Sequence, residues 1–168
     1  MNRHLALAVG ASVVLGAVAV APLASAEQGG RHIDDLRRAT APYQDLSQAE
    51  GFVPVTDLDG FTCIEGPEGG MGTHYVKVSR LVDGEIDFLE PEILLYDGDT
   101  LIGVEYVVLA ADWHATHGKQ PPKQLGKKFT FVAAGNRYGL PDFYEQHVWL
   151  WQSNPAGLLQ DWNPDVGC

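Results

Sequence analysis

Between His32 and Glu50, apolar residues Ile33, Leu36, Tyr43, Leu46 and Ala49 recur at helical spacing with charged residues between them. This pattern predicts one helix or two short ones. Pro42 interrupts it, Thr40 is placed to cap a second helix, and Gly51 supplies the stop. Beyond Phe52 the pattern changes to that of strands. The runs 73–78, 92–96, 101–109, 128–133 and 144–151 are rich in β-branched and aromatic residues and are bounded by Gly, Pro, Asn or Asp. Their closeness along the chain predicts antiparallel pairing. Residues 111–127, with Pro121-Pro122, read as a long surface loop. The expected fold class is mainly β, of α+β type: a small antiparallel β-barrel or strongly curved sheet with an N-terminal helix.

The clearest local unit runs from Glu92 to Glu105 around Asp97-Gly98, a strong hairpin signal. A four-residue loop sets Tyr96 opposite Leu101 and Glu92 opposite Glu105. A two-residue turn slips the register by two and leaves both glutamates on one face. A three-residue loop separates them. The even loops place Glu92, Leu94 and Tyr96 with Gly103, Glu105 and Val107. Ile93, Leu95, Ile102, Val104 and Val108 fill the other face, the better candidate for the core.

The amino terminus changes the compartment. Asn2, Arg3 and His4 lead into an apolar run from Leu5 to Leu23 that ends in Ala24-Ser25-Ala26, the small-x-small pattern of signal-peptidase cleavage. Residues 1–26 are expected to be a signal peptide, and residues 27–168 a single secreted domain beginning at Glu27. Gly10, Gly16 and Pro22 break the run; a membrane-spanning helix is the alternative reading. Cleavage leaves 142 residues and a net charge of −12, since Arg3 is the only charged residue lost. That sign repels phosphates and argues against nucleic acid and anionic lipid as partners. It suits a cation or a neutral small molecule, and no membrane attachment is expected after cleavage. The two cysteines, Cys63 and Cys168, are expected to form one bridge in an oxidising compartment.

Four polar residues interrupt otherwise apolar strands: His74, Glu92, Glu105 and His147. Burying such groups unpaired is costly, so together they form a candidate site for a divalent transition metal (zinc, iron, manganese or copper) or for a small ligand. Glu145 lies two residues from His147 on the same strand face and is a candidate to orient it. Tyr96 and Trp149 are candidates for the surrounding wall. Each of these residues also has a bland reading as core or solvated surface. Glu65–His74 reads as an irregular glycine-rich loop that positions His74 and lacks the features of a phosphate loop. His114 and His117 read as solvated loop residues. Asp57-Leu-Asp-Gly60 shares only the start of a calcium loop. No GxSxG is present, so nucleophilic catalysis has little support.

Four segments carry a resemblance: Ala39–Leu46, Gly69-Gly-Met-Gly-Thr-His-Tyr75, His147-Val-Trp-Leu-Trp151 and Trp162-Asn-Pro-Asp-Val-Gly-Cys168. Together they are similar to a family of secreted bacterial proteins frequent in actinobacteria. The resemblance implies secretion and a single domain, and brings no activity with it. The His-bearing strand and its hairpin are also loosely similar to the TTHB210-like domain. The expected function is binding of a small ligand or divalent metal in a pocket lined by His and Glu. A metal-dependent enzyme of cupin-like or barrel type is the second reading, and an extracellular structural or interaction protein the third.

Overall fold

The computed structural model describes residues 24–168, so the expected signal peptide falls almost wholly outside the described residues. Helix α1 (Ala24–Thr40) is followed by two 3-10 turns, Ala41–Gln44 and Leu46–Gln48, rather than by a second α-helix. Pro42 sits in the first of these turns. Thr40 does not cap with its side chain; its hydroxyl donates back to the Leu36 carbonyl at 2.9 Å. The strands are β1 (Val53–Pro54), β2 (Cys63–Gly66), β3 (Gly69–Val76), β4 (Ile93–Asp97), β5 (Thr100–Leu109), β6 (Lys123–Gln124), β7 (Lys127–Lys128), β8 (Thr130–Val132) and β9 (Phe143–Val148). Helices α2 (Val78–Leu81) and α3 (Ala110–His117) lie between them.

Seven strands form one antiparallel sheet in the order β1-β3-β4-β5-β9-β8, with β2 also paired to β3. The mainly β, α+β class is as expected; of the two expected forms, barrel or strongly curved sheet, the closed barrel is not formed among the described residues. The outer strands β1 and β8 are two and three residues long, too short to zip the sheet shut. Residues 111–127 are not a loop throughout: they contain α3 and the β6–β7 ribbon. Inside α3, Trp113 stacks on His117, four residues on, with ring centroids 3.8 Å apart.

Both faces of the sheet are covered. Leu94, Tyr96, Leu101, Val104, Tyr106 and Val108 pack on one side with Leu36, Ala49 and Phe52. Ile93, Leu95, Ile102, Val107, Phe143, Trp149 and Val166 form a second cluster on the other. The division follows from one irregularity in the β4–β5 hairpin. Asp97 pairs with Thr100 and Tyr96 with Leu101, but Leu95 then pairs with Gly103, leaving Ile102 as an extra residue on β5. A bulge of one residue reverses the facing of everything beyond it. Glu105 therefore lies opposite Ile93, and Glu92 and Glu105 stand on opposite faces, contrary to the register expected from an even loop.

The glycine-rich segment is also a correction. It is not an irregular loop but the β2–β3 hairpin, and its glycines make room for the carboxy-terminal segment. Gly70 and Asn163 exchange two backbone hydrogen bonds of 3.0 Å. A Cβ on Gly69 would stand 2.1 Å from the Asn163 carbonyl oxygen. The Cys63–Cys168 disulfide fastens the end of this segment, with Cα atoms 5.8 Å apart. No helix among the described residues is long and apolar enough to cross a membrane.

Candidate functional site

The second face of the sheet carries the polar cluster. His74 comes from β3, where it pairs with Leu95; Glu105 from β5; and His147 from β9, directly opposite Glu105. His74 leans over the intervening β4. Gly103, opposite Leu95, adds no side chain on this face. His74 Nε2 stands 3.4 Å from Glu105 Oε2, and His147 Nε2 is 3.9 Å from the same oxygen. The two imidazoles meet edge to face with centroids 5.9 Å apart. All three residues are at most 3 % exposed. One ligand atom from each lies within 4.8 Å of the others.

A second group shares His147. Asp161 Oδ1 faces His147 Nδ1 at 3.8 Å, and Glu145 lies two residues from His147 on the same face. His147 thus presents one nitrogen to Glu105 and the other to Asp161. Neither nitrogen has a hydrogen-bond partner, nor do His74 Nδ1 and Asp161 Oδ1. Native structures pair nearly all such buried groups, so several orphans around one imidazole call for something to satisfy them.

Burial sets the charges here. It pushes His74 down to about 3, with the neighbouring His147 as the next cause. It raises the Glu105 carboxyl well above the usual carboxylate range, and the adjacent Glu145 raises it further. Glu145 is itself raised, again chiefly by burial. Asp161 is held below its ordinary value by the facing His147. The site therefore resists both a bare imidazolium and a bare carboxylate, and a cation would reverse the second resistance.

Beside the cluster lies a cavity of about 140 Å3 whose wall is apolar except for His74, Glu105 and the Tyr138 ring. The loop bearing Tyr138 and Leu140 is shaped by Asn136. Its side-chain amide donates to the Ala133 and Leu140 carbonyls and its oxygen accepts from the Tyr138 and Leu140 amides. Arg137 in that loop pairs with buried Asp57 at 3.4 Å, while Asp57 Oδ1 also accepts from the Asp59 and Phe61 amides. Asp57 is thus a structural residue.

Of the residues expected at the site, His74, Glu105 and His147 come together and Glu145 adjoins them. Glu92 does not. On the opposite face its carboxyl accepts from the Val107 amide at 3.0 Å, a donor that β4 ends too early to engage. Tyr96 is also on that face, donating its hydroxyl to the Tyr43 carbonyl at 2.5 Å. The bulge at Ile102 separates both from Glu105. Trp149 stacks beside His147 at 6.4 Å and donates to the Gln160 carbonyl, buried behind the ring rather than on the cavity wall. His114 and His117 take no part: the first meets the Tyr144 hydroxyl at 3.1 Å, the second Glu85 at 3.4 Å. Sequence reasoning misses Asp161 and Tyr138. Both sit in irregular segments where no period marks a side chain as inward. Compared with profiles of known protein families, with curated proteins and with solved structures, the chain matches none.

Proposed function

We propose that this is an extracellular protein that binds a divalent transition metal ion through His74, Glu105 and His147, with Asp161 and Glu145 orienting the ligands. The observation that carries the reading is the convergence of three buried ligating side chains, His147 Nε2 among them without a hydrogen-bond partner. A tetrahedral ion with ligands at about 2.0–2.1 Å requires donor–donor separations of about 3.4 Å. The His74–Glu105 separation of 3.4 Å already meets this, and the His147–Glu105 separation of 3.9 Å asks for a closing shift of about half an ångström. The energies point the same way. Each buried unsatisfied group costs about 1–3 kcal/mol, so several together consume much of the 5–15 kcal/mol by which a protein is folded. A zinc ion would pair His147 Nε2 and leave the nitrogen facing Asp161 to a hydrogen bond with that carboxylate. The Cys63–Cys168 bridge is compatible with an oxidising, extracellular setting.

Isothermal titration of chelator-stripped protein with zinc and cobalt(II) tests the reading. One ion should bind per chain, and His147→Ala should lose at least a hundredfold in affinity while keeping the far-UV circular dichroism spectrum. Stripped wild-type protein that takes up no zinc, cobalt, manganese or copper would overturn it. A catalytic variant of the same reading is favoured by one observation: the cavity meets the cluster at His74 and Glu105, where three protein ligands leave a coordination position open. Hydrolytic activity abolished by chelation and restored by zinc would establish that variant.

A further inference from the structure

The cavity has a composition that metal binding alone does not require. Val55, Val76, Ile93, Val107, Leu140 and Phe143 line it, with the Tyr138 ring. Its volume, about 140 Å3, is close to that of apolar cavities that stay dry and take up a benzene-sized molecule. Val55, Tyr138 and Leu140 are only partly buried, so the cavity reaches the surface on that side. His74 and Glu105 form its polar end, beside Val55, whose amide donates to the His74 carbonyl at 2.8 Å, and beside the Tyr138 ring, 6.1 Å from that of His74. A wholly apolar ligand would leave His74 Nδ1 without a partner and the Glu105 carboxyl against hydrocarbon, and a charged ligand would lose its hydration against an apolar wall. One polar atom on an apolar body meets both demands.

From these features we infer that the cavity binds a small neutral molecule, a benzene-sized apolar body carrying a single hydrogen-bonding oxygen. The body lies among the Val, Ile, Leu and Phe side chains, and the oxygen meets the His74–Glu105 end. Recognition of this kind discriminates through the penalty of leaving buried polar groups unpaired, which is larger than the gain from adding a methyl group to an apolar pocket. Occupancy by an ion is not part of the claim, which stands or falls separately from metal binding.

Phenol and toluene, nearly equal in size and differing in the oxygen, are the probes. Ligand titrations on the full-length secreted protein, followed by methyl NMR, should be run with chelator present and again with zinc. Phenol should bind at least tenfold more tightly than toluene in the chelated protein, shifting the methyl signals of Val76, Ile93 and Val107. Leu140→Trp and Leu140→Phe, which fill the cavity from its half-exposed side, should each lose phenol binding and leave zinc affinity unchanged. Either one that keeps the native methyl spectrum serves. Equal affinity for toluene would overturn the polar end of the site. Absence of methyl shifts with both probes, or phenol binding that survives the filling substitutions, would overturn the cavity as its location. Zinc uptake without phenol binding defeats this inference alone; phenol binding without zinc uptake defeats the metal reading alone.

Discussion

Glu92 shows how one buried carboxyl affects stability. It is 2 % exposed and accepts the Val107 amide, and burial raises it from 4.5 to about 8 despite that hydrogen bond. The folded state therefore prefers the protonated form. Its contribution is complete below about pH 4.5 and is lost progressively as pH rises towards 8. Glu92→Gln keeps an oxygen for the Val107 amide and removes the titration. The stability difference between the Glu92→Gln variant and wild type should grow in the variant's favour from pH 5 to pH 8, by up to about 1.4 kcal/mol per unit. Urea denaturation at pH 5, 6.5 and 8 measures it, and a difference independent of pH would refute the titration. Glu92→Ala should instead cost about 1–3 kcal/mol at pH 5, because the Val107 amide loses its partner. His74, Glu105 and His147 are legible in the sequence because each breaks an apolar strand, and burial makes such a break expensive unless it is used. The role of Glu92 is not legible: being polar in an apolar strand reveals its burial, while its facing depends on a bulge with no residue signature.

Among the elements, the strands after Phe52 can be read because β-branched and aromatic runs between turn residues leave few alternatives. The hairpin's turn is visible in Asp97-Gly98, whereas its bulge is not, since Ile102 is as good a strand residue as its neighbours. Helix α3 is hidden by Pro121-Pro122, which in fact follow it. The glycines of β3 mislead for a different reason: their purpose is contact with segments distant in sequence. Gly72 has φ +76, and a Cβ there would stand 2.4 Å from the Tyr96 carbonyl oxygen. Gly98 has a similar φ of +58, with nothing within 4 Å of its Cβ position. Gly98→Ala should therefore cost only the conformational penalty, about 1 kcal/mol. Gly72→Ala must also move backbone and should cost about 2–4 kcal/mol or more. Because Gly72 lies two residues before His74, its substitution should also weaken zinc binding, and the Gly98 change should not. Thermal denaturation and zinc titration of the two variants separate steric contact from backbone strain. Equal losses would show that close approach is unimportant at Gly72.

At the scale of the whole molecule, the disulfide connects stability to the site. It joins residues 105 positions apart, a closure worth about 4–5 kcal/mol in the chain-entropy model. The segment it fastens pairs Asn163 with Gly70, buries Val166 in the second cluster and carries Asp161 towards His147. Cysteine count alone points to the bridge; that its segment also supplies a group facing His147 depends on tertiary contacts the sequence does not display. Cys168→Ser should lower stability by a few kcal/mol in denaturant titrations. It should also reduce zinc affinity, because a loosened tail no longer holds Asp161 beside the His147 ring. Asp161→Asn isolates the second effect. It removes the charge facing His147 Nδ1 and should weaken zinc binding by about 10- to 100-fold, the usual consequence of losing a group that orients a ligand, with little change in unfolding free energy. If Cys168→Ser costs stability but binds zinc as wild type does while Asp161→Asn does not, the Asn163–Gly70 pairing and Val166 hold Asp161 without the bridge. If neither variant changes zinc affinity, Asp161 does not orient His147, and Glu145 is the remaining carboxyl of that group to test by the same titration.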